Sequence, residues 1–79
     1  MNREKVLDIV QEICRDIFDS ENLIITNELS AEDIDTWDSL NHLNLISSVE
    51  EEFNIKFDFD EMASFKNIGD IIDSIINKI

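Results

Sequence analysis

The sequence contains no proline and a single glycine, Gly69, among its 79 residues. Sheet proteins need turn-forming residues every few positions, so this scarcity argues against an all-β fold and favours helices. Long apolar runs are missing as well: none exceeds three residues, far short of the ~20 that a membrane-spanning helix needs. A lone cysteine, Cys14, excludes an internal disulfide and a cysteine-based zinc site.

Basic residues are also scarce, since 6 Lys and Arg oppose 19 Asp and Glu and the formal net charge is −13. Nucleic acids and anionic membranes are polyanions, so we expect neither as a partner. Residues 31–61 hold ten of the acidic residues and one basic residue, and this segment would attract a cationic partner. Asp8 and Glu12 interrupt any N-terminal signal core, so we expect a cytoplasmic location.

The pattern of apolar residues predicts helices in one domain, residues 1–79, because a chain of this length builds a single small core. Three- and four-residue steps indicate a first helix capped by Asn2, a second capped by Asp38 and a last one after Asn67. Asp58 with Glu61 resembles a capping box and predicts a short third helix. The expected fold class is therefore all-α: a small four-helix bundle with three longer helices and one short one.

Finer expectations concern the connecting loop and the buried faces. Residues 19–38 lack sustained periodicity and are predicted to form a long loop, with one short helical turn capped by Ser30. Asn54 is the predicted stop of the second helix. That helix is predicted to bury Leu40, Leu43, Ile46, Val49 and Phe53, with Leu45 at the edge of the stripe. The last helix is predicted to bury Ile68, Ile71, Ile72, Ile75, Ile76 and Ile79.

No complete active site is recognisable, and no catalytic residue is predicted. Ser39 and His42 are neighbours on the predicted helix, but no convincing oxyanion hole and no nearby glycine accompany them. His42 is therefore interpreted as a polar, surface-facing histidine. Calcium-loop frames that start at Asp33 or Asp58 place wrong residues at the ligand positions, so no metal site is predicted. Cys14 lies in the apolar stripe of the first helix and is expected to be a buried core residue.

The most informative segment is Asp33-Ile34-Asp35-Thr36-Trp37-Asp38-Ser39-Leu40, followed by Glu50-Glu51-Glu52-Phe53. With the order of helices and loops, it resembles acyl carrier proteins over nearly the full chain. The resemblance implies that Ser39, between Asp38 and Leu40, is esterified by 4′-phosphopantetheine from coenzyme A. A separate phosphopantetheinyl transferase would install this arm, whose terminal thiol carries acyl groups as thioesters. A phosphodiester at a helix start would also meet free backbone N–H groups and the positive end of the helix dipole.

A carrier that visits many enzymes needs weak, electrostatically steered contacts. We therefore expect a monomer that docks on basic patches of the transferase and of acyl-transferring or condensing enzymes. Asn41, His42 and Asn44 stand where carriers of fatty acid synthesis typically place acids, which favours a specialised fatty acid, polyketide or related pathway. The expected partner-recognition residues are Trp37, Asn41, His42, Glu50, Glu51 and Glu52. The expected candidates for an acyl-chain cavity are Leu43, Leu45, Ile46, Ile55, Met62 and Phe65.

A second interpretation belongs to a different class of protein. The chain could be a non-catalytic acidic helical module whose negative face binds a basic partner. In that case Ser39 would be only the residue at which the second helix begins. Modification by a transferase in the presence of coenzyme A would separate the two interpretations.

Overall fold

A computed structural model describes residues 2–79, in which the helices begin where an Asn or Asp side chain caps the backbone. The four helices are α1 (Arg3–Ile17), α2 (Ser39–Phe53), α3 (Phe59–Ser64) and α4 (Ile68–Lys78). In each helix the side chain of the capping residue accepts a hydrogen bond, at 2.8–2.9 Å, from the backbone N–H three residues further on. The four caps are Asn2, Asp38, Asp58 and Asn67, and their donors are, in the same order, Lys5, Asn41, Glu61 and Asp70. The predicted all-α bundle with one short helix is confirmed, and residues 2–79 contain no strand.

The core lies where α1, α2 and α4 meet, and it is closed at its ends by residues of the loops. The fully or nearly fully buried helical residues are Val6, Val10, Cys14, Leu45, Ile46, Val49, Ile68, Ile71, Ile72 and Ile75. Phe18, Ile25, Trp37 and Phe57 contribute buried apolar side chains from outside the helices. Cys14 is a core residue as predicted, and burial raises the pKa of its thiol to about 12.

The buried face of α2 differs from the predicted stripe. Leu40 and Leu43 are 67% and 61% exposed, whereas Leu45 is completely buried instead of lying at the edge. A step of three residues falls about 60° short of a full helical turn. The sequence of steps from Leu40 through Leu43 to Ile46 therefore spirals from the solvent side into the core. Leu45, Ile46 and Val49 define the inner face.

The middle of the long loop is held by a hydrogen bond around its 3₁₀ turn and by one to the start of α4. The 3₁₀ turn Ala31–Asp33 follows Ser30, whose N–H donates to the Asp33 carboxylate at 3.0 Å. The N–H of Gly69, at the start of α4, donates to the Asn27 carbonyl at 2.9 Å. A Cβ atom at position 69 would lie 3.0 Å from that carbonyl oxygen, so the lone glycine permits this close approach.

The C-terminal part agrees with prediction except at its last residue. Asn54 ends α2 in the left-handed conformation, with φ 54° and ψ 51°, as expected of a stop residue. Ile79 is 50% exposed and lies beyond the end of α4, so its predicted place in the buried face is wrong. Lys78 contacts α3, with Nζ 2.8 Å from the Glu61 carboxylate and 5.9 Å from the centre of the Phe57 ring.

Candidate functional site

Ser39 is the first residue of α2 and is exposed. The N–H groups of Ser39 and Leu40 donate to no acceptor among residues 2–79. The next N–H, of Asn41, is occupied by the Asp38 carboxylate at 2.8 Å. The Ser39 hydroxyl therefore stands beside two free backbone donors at the positive end of the α2 dipole, an arrangement suited to holding a phosphate ester.

Two hydrogen bonds hold the segment that leads into α2. The Asn41 side chain donates to the Thr36 carbonyl at 2.7 Å, and the Trp37 N–H donates to the Ile34 carbonyl at 3.1 Å. Asn41 is half-buried and is occupied by this contact, so part of its role is to shape the start of the helix. These bonds set the position from which Ser39 presents its hydroxyl.

Trp37 is only 7% exposed, and its ring forms the floor of the site. It packs against Phe18 with ring centres 5.3 Å apart and lies nearly parallel to the imidazole of His42 at 6.1 Å. The indole Nε1–H donates to His42 Nδ1 at 3.1 Å. Little of the indole is therefore left for contact with a partner protein.

His42 is half-buried rather than surface-facing, which corrects the expectation from sequence. Its position continues the inner face of α2 defined by Leu45, Ile46 and Val49, because residues three and four apart share a helix face. Burial lowers the pKa of its imidazole, so the neutral form of the ring predominates at pH 7. The sequence placed His42 beside Ser39 but gave no sign of the bond to Trp37.

An open groove of about 590 Å³ lies next to the Ser39 hydroxyl. Five of the six residues that line it were singled out from the sequence: Trp37, Asp38, Ser39, His42 and Leu43. The sixth is Ala31 of the 3₁₀ turn, which sequence reasoning missed because a small residue in a loop carries no pattern. Leu40 belongs to the motif but does not line this groove.

The acidic run Glu50-Glu51-Glu52, at the other end of α2, does not reach Ser39. Glu51 lies twelve residues along the helix, which is about 18 Å at 1.5 Å per residue. Glu51 and Glu52 are exposed, but Glu50 is half-buried and its carboxylate accepts the Phe57 N–H at 2.8 Å. Glu52 faces α1 and lines a second groove with Asp8 and Glu12.

The candidates for an acyl-chain cavity occupy three different environments. Leu45 and Ile46 belong to the buried core. Ile55, Met62 and Phe65 are partly buried and pack against that core from the α3 side. Leu43 lies outside it and lines the groove beside Ser39.

Metal sites and membrane-spanning helices are both absent from the described part of the chain. Residues 2–79 bring no three His, Cys, Asp or Glu side chains into an arrangement that could hold a metal ion. None of the helices in that range has the length and apolar character required to span a bilayer.

Comparisons with known proteins agree with this geometry. A family model described as phosphopantetheine attachment site matches residues 4–75. The chain is 34% identical over 80 residues to an acyl carrier protein of Thermosynechococcus vestitus, covering all of this chain and 98% of the relative. It is 29% identical over 79 residues to an acyl carrier protein of Exiguobacterium sibiricum, with both chains fully covered.

The fold is shared with a solved carrier that bears its prosthetic group. The solution structure of holo acyl carrier protein from Geobacter metallireducens superposes with a TM-score of 0.87 and 45% identity. The match covers 92% of this chain and 84% of that one. Proteins of this family bear a covalent 4′-phosphopantetheine and act as carriers rather than catalysts. The matched family model and the curated relatives together show that this chain belongs to the acyl carrier protein family.

Proposed function

We propose that Ser39 is the residue that bears the 4′-phosphopantetheine arm. The observation that carries this assignment is the exposed Ser39 hydroxyl beside two unoccupied N–H groups at the start of α2. In the transfer from coenzyme A, Ser39 Oγ forms a bond to the phosphorus that bears pantetheine. The bond from that phosphorus to the adenosine 3′,5′-bisphosphate breaks, and the hydroxyl proton is lost. The transferase supplies the catalysis, so no base near Ser39 is needed.

The arm supplies a terminal thiol that holds acyl groups as thioesters. We propose that residues 1–79 form a single carrier domain. It shuttles such intermediates between enzymes of a specialised fatty acid, polyketide or related pathway. Support comes from Asn41, His42 and Asn44, which leave the helix turns beside Ser39 without acidic side chains. The proposed setting is the cytoplasm, and the proposed state is a monomer.

The proposed partners are the transferase and acyl-transferring or condensing enzymes with basic docking patches. Support is the charge of residues 31–61, where ten acidic residues oppose one basic residue. Such a field accelerates encounter without requiring a large apolar interface. An acyl chain on the arm is proposed to find shelter between α2 and α3. There Ile55, Met62 and Phe65 are only partly buried against the core.

The decisive experiment is intact-mass analysis after incubation with coenzyme A and a phosphopantetheinyl transferase. We expect wild type to gain one phosphopantetheine and Ser39→Ala to gain none. Ser47→Ala is the matched control, because it removes an exposed serine from the same helix, and it should be modified like wild type. Modification that persists in Ser39→Ala would place the arm elsewhere. No modification of wild type by several transferases would favour the acidic interaction module.

A further inference from the structure

The hydrogen bond between Trp37 and His42 fixes which nitrogen of the imidazole is free. Nδ1 accepts the indole N–H at 3.1 Å, so the ring proton of the neutral form resides on Nε2. Nε2 donates to no acceptor among residues 2–79. His42 also lines the groove beside Ser39. The site thus contains a neutral donor of fixed tautomer one helical turn from the serine hydroxyl.

The groove combines this donor with an apolar surface. Trp37, Leu43 and Ala31 line it together with His42. Leu43 remains 61% exposed, although it lines the same groove as the buried indole. An exposed leucine beside a hydrogen-bond donor is a suitable surface for a ligand that is polar at one end and branched aliphatic next to it.

Phosphopantetheine has that order of groups. Its phosphate is followed by the pantoyl unit, whose quaternary carbon bears two methyl groups, and then by two amides. A phosphate held through Ser39 Oγ would lie at the polar end of the groove, and the methyl groups would then be within reach of its apolar wall. We propose that His42, Trp37 and Leu43 bind the first part of the arm. This proposal rests on Ser39 being the attachment residue. His42 Nε2–H donates to the phosphodiester, and the pantoyl methyl groups lie between Trp37 and Leu43.

The electrostatic setting favours a donor at this point. The groove already contains the carboxylate of Asp38, and the phosphodiester adds a second negative charge close to it. The free N–H groups of Ser39 and Leu40 offset part of that repulsion, and a third donor from His42 increases the offset. His42 is a positioning residue in this proposal, since it orients the arm and takes no part in acyl transfer.

The direct test is a nuclear Overhauser experiment on the holo protein, with mass analysis confirming one phosphopantetheine on Ser39. We expect cross-peaks from the pantoyl methyl protons to the Trp37 indole and to the Leu43 methyl groups. Cross-peaks confined to Leu40 and Phe59, which are 67% and 79% exposed, would place the arm elsewhere on the surface and overturn the proposal. The absence of any cross-peak from these methyl groups would overturn it as well.

The donor is tested separately by the ³¹P resonance of the phosphodiester. His42→Ala should shift this resonance, whereas His42→Gln, which retains a side-chain N–H, should shift it less. Ser47→Ala, at an exposed position on the same helix that lines no part of this groove, is the matched control and should leave it unchanged. Amide spectra verify that each variant is folded. Equal ³¹P positions in wild type and in folded His42→Ala would refute the hydrogen bond.

The two proposals fail in different ways. If mass analysis finds no phosphopantetheine on Ser39, the attachment site itself is wrong. If Ser39 is modified but the pantoyl methyl groups contact neither Trp37 nor Leu43, the carrier function stands and only the binding groove is wrong.

Discussion

The carboxylate of Glu50 accepts a hydrogen bond from the backbone N–H of Phe57 at 2.8 Å. This bond crosses the connection between α2 and α3 and gives one member of the acidic run a structural task. An acid near the C-terminus of a helix is opposed by the helix dipole, and the contact with Phe57 offsets that cost for Glu50. Glu51 and Glu52 are exposed and have no such contact among residues 2–79.

Glu50→Ala should therefore lower the free energy of unfolding by ~1–2 kcal/mol, because the Phe57 N–H loses a charged acceptor in a partly buried place. Glu51→Ala removes the same charge from an exposed neighbour and should change stability by less than about 0.5 kcal/mol. Urea unfolding of both variants measures the difference. Equal effects would show that the bond contributes nothing beyond charge.

Electrostatic steering is best tested on Glu51 and Glu52 without Glu50, because Glu50 also holds the Phe57 N–H. Converting both to Gln should slow association with a phosphopantetheinyl transferase in stopped-flow measurements, and the dependence on ionic strength should weaken. The control converts Glu4 and Glu28 to Gln and so removes the same number of charges. Both residues are exposed, and neither lines the groove that contains Glu52. Asp8 and Glu12 are unsuitable controls, since they share that groove with Glu52. Equal slowing in both double variants would mean that only total charge matters.

Asp38 combines a cap with a place in the groove. Asp38→Ala should cost ~1 kcal/mol of stability, because the Asn41 N–H loses its acceptor. Asp38→Asn retains most of the cap but lacks the charge, so it should fold normally and be modified more slowly by the transferase. Thermal unfolding and the rate of mass gain separate the two effects. A wild-type rate for Asp38→Asn would exclude a part for the carboxylate in recognition.

The stability of the fold should depend on the protonation of His42. Its pKa in the folded chain lies below the ordinary value of 6.5 because burial disfavours the charged ring. Stability is then fully present above pH 6.5 and declines as the pH falls toward the folded pKa, since the unfolded chain binds the proton more readily. Protonation at Nδ1 also removes the acceptor of the Trp37 N–H.

His42→Gln should abolish this loss. We expect the difference in free energy of unfolding between wild type and His42→Gln to vary below pH 6.5 and to be constant above it. Both proteins retain every other charged group of the groove, including Asp38, so the comparison isolates His42. Urea unfolding from pH 5 to pH 8 makes the measurement. Parallel curves across the whole range would show that His42 contributes no pH dependence.

The net charge of −13 should itself destabilise the compact state by self-repulsion. Added salt or millimolar magnesium should raise the melting temperature by screening or neutralising residues 31–61. Differential scanning calorimetry across salt and magnesium concentrations tests this expectation. A melting temperature that stays flat would identify repulsion as a minor contribution.

The helices could be predicted because their signals are local. Asn2, Asp38, Asp58 and Asn67 cap the helices by bonding to a residue three positions on, and such spacing is visible in a sequence. The Asp38-Ser39-Leu40 motif likewise predicts the residue at which α2 begins. The burial of Leu40 and Leu43 was predicted wrongly, because three-residue steps drift around a helix. The sequence alone does not say which side of the helix faces the core.

The rest of the site depends on contacts that bring distant or unpatterned residues together. The bond from Trp37 to His42 requires the indole to fold back over the first turn of α2, and the packing of Phe18 beneath it decides that position. Ala31 reaches the groove through the course of the long loop. The contact of Glu50 with Phe57 depends on the turn at Asn54. None of these is set by a local rule.

The burial of Cys14 has a consequence for the chemistry that a carrier performs. Its thiol is fully enclosed and has a pKa of about 12, so at neutral pH it offers almost no thiolate to an electrophile. An acyl group on the arm therefore cannot migrate to the chain's own cysteine by thiol exchange. For the same reason, a maleimide applied to the folded protein should label the arm alone, which makes conversion of apo to holo protein countable by a single alkylation.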